Sequence, residues 1–190
     1  MDADILMKAH DLVAELLEGQ LPQRAQHVRG VCQRAEVLCP LLSSGDAYLL
    51  RAAALLHDIG YSPQLRRTGL HALDGAAYLS SIGLPRRLCA LVAHHSCAYR
   101  EAELRGLSVE LAEWEDEDSL VRDGLWWADM TTTPDGGATD VQERIEEIQR
   151  RYGPEDLVSF FIRQAKTDLV AAVERTTLRL RAAGIDYTVK

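Results

Sequence analysis

Several things are scarce in this sequence of 190 residues, and each scarcity excludes a class of protein. Lysine and arginine number 21 against 29 acidic residues, a net charge of -8, so a wide basic face for duplex nucleic acid is not expected. Two phenylalanines are too few for an aromatic platform that stacks single-stranded bases. The four cysteines, Cys32, Cys39, Cys89 and Cys97, form no Cys-x-x-Cys pair. With no signal peptide at the start, they read as reduced thiols of a cytoplasmic protein. No apolar run approaches the ~18 residues of a transmembrane helix, so no membrane association is expected. The hydrophobic fraction of 47% and charged fraction of 26% are ordinary for a globular chain, which excludes disordered, collagen-like and small disulfide-stapled proteins. The length suits one full domain, which buries roughly 70% of its unfolded surface and needs no disulfide or structural metal merely to fold.

Helical periodicity runs nearly throughout. Residues 4 to 18 carry an apolar stripe that ends at Gly19, and Pro22 suits the first turn of a second helix. There Val28, Val31, Cys32, Ala35, Leu38 and Cys39 fall on one face before Pro40 and Ser43-Ser44-Gly45 interrupt it. Asp46 is placed to cap a third helix, with Leu49, Leu50, Ala53, Ala54 and His57 on its buried side and Gly60 to end it. Residues 71 to 82 and 85 to 95 read as two shorter helices. The acidic run Glu113 to Asp118, around Trp114, reads as a solvated helix start. A helix through Trp126, Trp127 and Asp129 follows, then a loop from Thr131 to Gly137. Val141, Ile145, Ile148 and Tyr152 keep helical spacing, and a long last helix spans about Pro154 to Ala183. No segment reads as a strand, a repeat or an interdomain linker. The expectation is one all-α domain over 1–190, of seven to nine helices.

The histidines are not numerous, but their placement is informative. His27 lies at the edge of an apolar helix face. His57-Asp58 closes Leu55-Leu56-His57-Asp58-Ile59-Gly60, His71 opens a helix, and His94-His95 closes another. Asp129 lies on a mostly apolar helix. A buried carboxylate without a partner is costly, so Asp58 and Asp129 require cations nearby. Imidazole with carboxylate is a donor set for Fe, Mn, Zn or Co rather than for a pure Mg site. Helical neighbours point ~100° apart, so His57-Asp58 or His94-His95 can face one ion only from a helix end or across a cleft. His10, outside this pattern, reads as structural.

Together, His27, then His57-Asp58, then Asp129, each on a separate helix, resemble the HD superfamily of metal-dependent phosphohydrolases. Ala54-Leu55-Leu56-His57-Asp58-Ile59-Gly60 is the most diagnostic stretch, and the likeness covers about residues 20 to 135. It implies an all-α HD-domain bundle around a metal site, with the C-terminal helices, 140–183, packed on it. His71, His94 and His95 resemble the larger ligand set of the dinuclear branches. By that resemblance Asp58 bridges two ions; His27, His57 and Asp129 hold one, and His71, His94 and His95 complete the other. Tyr61 stands where HD-GYP phosphodiesterases usually carry a lysine, their Gly-Tyr-Pro text is absent, and so are the Glu-rich motifs of the alarmone hydrolases. The nearest likeness is to small bacterial HD proteins.

The resemblance implies hydrolysis of a phosphomonoester or phosphodiester, such as a nucleotide, by metal-activated water. Asp58 would be the bridge and proton acceptor. Arg24, three residues before His27 on the same helical face, is a candidate phosphate clamp. Tyr61, Arg66, Arg67, Ser96 and Arg100 are further candidates to meet a small anionic substrate. Two other readings use the same scaffold: a di-iron oxygenase, and a non-catalytic metal- or nucleotide-binding regulatory module. The long final helix, with Ala171, Ala172, Ala182 and Ala183, also suits a homodimer contact.

Overall fold

A computed structural model describes residues 2–188. Its helices follow the apolar periodicity closely, and their ends are fixed by local chemistry. α1 (Asp2–Val13) runs on through a wider turn, Ala14–Glu18, to Gly19. α2 (Pro22–Ala35) starts with Pro22, whose missing N–H costs nothing in a first turn, and tightens into a 3-10 segment, Glu36–Leu41, that accommodates Pro40. α3 (Ser44–Leu56) is capped by Ser43, whose Oγ accepts the Asp46 N–H at 3.1 Å. The expected cap, Asp46, instead lies in the first turn and pairs with Arg87 at 2.6 Å. α4 (His71–Ser81) and α5 (Arg86–Ala93) follow.

The polar stretch after α5 folds into two short helices, α6 (Ala98–Arg105) and α7 (Ser108–Leu111). They raise the count to ten α-helices among the described residues, one more than the upper expectation. The acidic run does not begin a helix. It is irregular chain ahead of α8 (Leu120–Met130), which Ser119 caps, and its Glu117 binds Arg87 at 2.6 Å. α9 (Val141–Tyr152) and α10 (Leu157–Ala182) are capped by Asp140 and Asp156. No strand forms among the described residues beyond one isolated bridge, Thr132 to Ala138. No helix is long and apolar enough to cross a membrane.

α3 is the centre of the packing. Its run from Ala52 to Leu56 is fully buried, apolar on every side, because α1, α2, α5 and α8 surround it. The chain leaves α3 at His57, so His57 and Asp58 emerge inside the molecule rather than at its surface. α10 packs along α8 and touches α6 and α9.

Two close backbone approaches position the site loops. A Cβ at Gly30 would lie 2.4 Å from the Gly136 oxygen, so this glycine lets the loop after α8 rest on α2. A Cβ at Gly60 would lie 2.0 Å from the His71 oxygen. Gly60 therefore does not end α3, which stops at Leu56; it lets the turn Ile59–Tyr61 pack on the start of α4. Gly60→Ala should cost about 1–3 kcal/mol through overpacking, a thermal midpoint lower by roughly 2–10 °C. An unchanged midpoint in calorimetry would contradict this account of the contact.

Candidate metal centre

Five helices deliver six side chains to one buried point. His27 comes from the middle of α2, His57 from the end of α3, His71 from the first residue of α4, His95 from the turn after α5 and Asp129 from the end of α8. Asp58 adopts φ -99°, ψ 7°, off the helical path. That departure resolves the problem of adjacent donors, since His57 keeps the helix direction while Asp58 turns back beside it.

The distances are short. His27 Nε2 lies 3.1 Å from Asp129 Oδ1. His57 Nε2 is 3.5 Å from Asp58 Oδ2 and 3.8 Å from Asp129 Oδ1. On the other side of Asp58, Oδ1 is 3.3 Å from His71 Nε2 and 3.8 Å from His95 Nε2. These two imidazole nitrogens are 3.1 Å apart. Two overlapping groups, His27-His57-Asp129 and His57-Asp58-His95, each gather donor atoms within 4.8 Å.

The histidines are oriented from behind. Nδ1 of His27 donates to the Thr133 carbonyl at 3.0 Å, Nδ1 of His57 to that of Ala54 at 2.8 Å, and Nδ1 of His95 to that of Val92 at 2.7 Å. Each bond fixes the tautomer and leaves the Nε2 lone pair facing the cluster, the outer arrangement that metal-binding histidines use. His57 Nε2 is fully buried and has no hydrogen-bond partner. A buried acceptor of that kind is costly unless a cation meets it. The donor set thus fits divalent metal.

Electrostatics point the same way. Burial pushes the His57 and His95 imidazoles down, His95 to about 3 with neighbouring His57 and His71 adding to the effect, so both stay neutral. Burial opposes ionisation of Asp58, but Arg24, His57 and His71 hold its carboxyl well below the usual range. Asp129 is held low against burial by His27 and His57 beside it and by Arg144.

Around this centre, Arg24 Nη1 donates to Asp58 Oδ2 at 2.6 Å, and its guanidinium lies 4.1 Å over the Tyr61 ring. Tyr61 in turn stacks on His71 at 4.0 Å. Ser96 Oγ donates to Asp129 Oδ2 at 2.5 Å. Ser96 and Cys97 both have positive φ, 46° and 62°, a strained conformation for residues with side chains. The strain lets the chain turn sharply after His95 and aim Ser96 at Asp129.

Not every candidate converges. His94 turns away from the cluster, its Nε2 2.9 Å from the Trp114 carbonyl, because adjacent residues at the end of α5 cannot both face inward. His95 is the one that joins. Arg100 faces outward from α6 to Glu103 and Asp168. Arg67 is exposed, and its backbone N–H binds Asp74. Arg66 lines a second cavity that adjoins the centre at Tyr61 and His71. Trp126 and Trp127 are buried in the core.

The cleft over the centre holds ~590 Å³, counted with its open mouth. Its outer wall is α9 and the start of α10, through Arg144, Ile148, Arg151, Tyr152, Phe161 and Ile162. None of these six residues is a site candidate on the sequence pattern alone. A signal is there all the same: Arg144 belongs to the same helical face as Ile148 and Tyr152, an arginine among apolar neighbours.

An all-α bundle whose core helices bring histidines and aspartates to one buried point defines a bundle protein with an interior His/Asp centre that could hold metal. The HD domain family model matches residues 24–133, more than half of the chain. The chain belongs to the HD domain family, whose general kind is the metal-dependent phosphohydrolase. Neither a curated protein nor a solved structure matches it. The matched span contains all six clustered residues and Arg24, and ends before α9 and α10.

The pH dependence of the metal-free protein follows. His57 and His95 bind protons more weakly folded than unfolded, so the stability tied to their neutral forms is complete above about pH 6.5 and declines as pH falls toward about 3. Depressed Asp58 and Asp129 add losses of the same sign below about pH 4. After chelation, the thermal midpoint should fall steadily from pH 7 to pH 5. A flat profile there would contradict neutral buried histidines.

Proposed function

We propose that this chain hydrolyses a phosphate ester, with one or two divalent ions held by His27, His57, Asp58, His71, His95 and Asp129. The observation that carries the reading is the partnerless Nε2 of His57, aimed with the Nε2 atoms of His27 and His95 at two ionised carboxylates on the floor of an open cleft. Bound ions there, Fe, Mn, Zn or Co by the donor set, would supply Lewis acidity toward a phosphoryl oxygen and a more acidic water.

The chain's own residues have distinct tasks in this reading. Arg24 stands at the rim with a planar fork of donors suited to two phosphoryl oxygens. Tyr61, sandwiched between Arg24 and His71, holds both in place. Asp58, ionised among the imidazoles, is the acceptor for the proton that an attacking water gives up. Ser96 fixes Asp129 from behind. Ile148, Phe161 and Ile162 limit water and offer an apolar surface to the organic part of a small ester such as a nucleotide. The four cysteines are free thiols, which suits a cytoplasmic setting.

The test is a screen of the Mn-, Co-, Fe- or Zn-loaded protein against p-nitrophenyl phosphate, its bis ester and common nucleotides. Phosphate or p-nitrophenol release should fall at least ~100-fold in Asp58→Asn and roughly 10- to 100-fold in Arg24→Ala. Oxygen uptake by an iron form, with no phosphate release, would replace this reading with the oxygenase. Full metal occupancy with neither reaction would leave a binding module.

A further inference from the structure

Three guanidiniums meet at one side of the cleft. Arg24, Arg144 and Arg151 line the main cleft, and they also line a smaller cavity that adjoins it beside His27, completed by Gln23 and Pro134. Few carboxylates answer them. Asp58 accepts from Arg24 at 2.6 Å. Glu147 serves both of the others, at 2.5 Å from Arg144 and 3.5 Å from Arg151, and Arg144 also feels Asp129 in the His/Asp centre. Arg144 is only 4% exposed, and its Nε has no hydrogen-bond partner. A buried guanidinium with an unfilled donor is costly. In a chain of net charge -8, such a concentration of positive charge does not follow from overall composition.

Asp58 cannot serve Arg24 and the His/Asp centre fully at once. Once it and Asp129, which Arg144 helps to hold ionised, are both committed to the centre, three guanidiniums remain against the single charge of Glu147. That surplus of about two positive charges, on planar forks, matches the charge and the several oxygens of a phosphoryl group better than a carboxylate. The scissile phosphoryl group belongs over the histidines, so an anion in the arginine cavity is a second one. Arg24 borders both places, which makes them adjacent.

We infer that the substrate carries two linked phosphoryl groups: it is an organic diphosphate or a longer phosphate chain. One phosphoryl group lies at the His/Asp centre and its neighbour on Arg24, Arg144 and Arg151. The inference rests on the phosphohydrolase reading for the first position only. Two of the three arginines come from α9, outside the matched span 24–133, so the selectivity belongs to this chain rather than to the HD domain as such.

Calorimetric titration of the purified metal-loaded protein tests this with three non-hydrolysable probes: methylenediphosphonate, methylphosphonate and phosphonoacetate. Methylenediphosphonate should bind at least tenfold more tightly than either of the others. Arg151→Ala, at a side chain 33% exposed and so without risk to folding, should reduce its affinity at least fivefold. Arg144→Gln should do the same, and Arg151→Ala should keep wild-type metal content. Equal affinity for methylenediphosphonate and methylphosphonate would overturn the second position, as would an advantage that survives both substitutions. Equal binding of phosphonoacetate would overturn its assignment to a phosphoryl group. Ester hydrolysis without a diphosphonate preference would leave the phosphohydrolase reading intact and remove this one. An arginine-dependent preference in a protein without turnover would do the reverse for turnover, and the double-anion site would stand.

Discussion

The Asp58 carboxylate is the constraint around which the cleft is built. It is nearly fully buried, and a buried charge survives only where cations and donors surround it. Arg24 supplies one full positive charge at 2.6 Å, and four imidazoles lie within 3.9 Å. Yet His57 and His95 are neutral by burial, and their carbonyl partners take their only N–H. The His57 lone pair therefore faces an anion with no donor to meet it, and the His95 one has only the imidazole of His71. Arg24 alone does not resolve that arrangement; a divalent cation would.

Apart from α2, which carries His27 in its middle, the helices serve this arrangement through their ends. α3 is apolar on all sides because it must pass through the middle of the bundle, and its exit puts His57 and Asp58 in the interior. The glycine contacts at Gly60 and Gly30 bring the backbone of α4 and the loop after α8 within reach, which sets His71 and the Thr133 carbonyl behind His27. Strain at Ser96 and Cys97 is held by burial and by the bond to Asp129. Bundle stability and site geometry are thus set by the same few backbone positions. α9 and α10 then close one side of the cleft with residues of a different character, arginines and large apolar groups.

Much of this was legible in the residue pattern. Periodicity placed the long helices, because 3.6-residue spacing of apolar side chains is strong where a whole face is buried. The polar stretch from Ala98 to Leu111 hid two short helices, since elements of one or two turns carry little periodicity. Ser43 does not stand out as the cap because two serines and an aspartate compete there within four residues. His27, His57, Asp58, His71, His95 and Asp129 announced themselves by type and position. Which of His94 and His95 turns inward depends on the left-handed turn at Ser96, which the residue type does not signal. Arg144 and Arg151 lie more than eighty residues from Asp58 in sequence, and only the packing of α9 over the cleft brings them to Arg24.

The central claim is that the buried His/Asp cluster holds divalent metal. Elemental analysis of the purified protein beside His57→Ala, with circular dichroism to confirm that both fold, addresses it most directly. The account predicts between one and two equivalents of Fe, Mn, Zn or Co in the parent and a loss of most of it in the variant. Absence of metal in the folded parent, even after reconstitution with each of these ions, would contradict it.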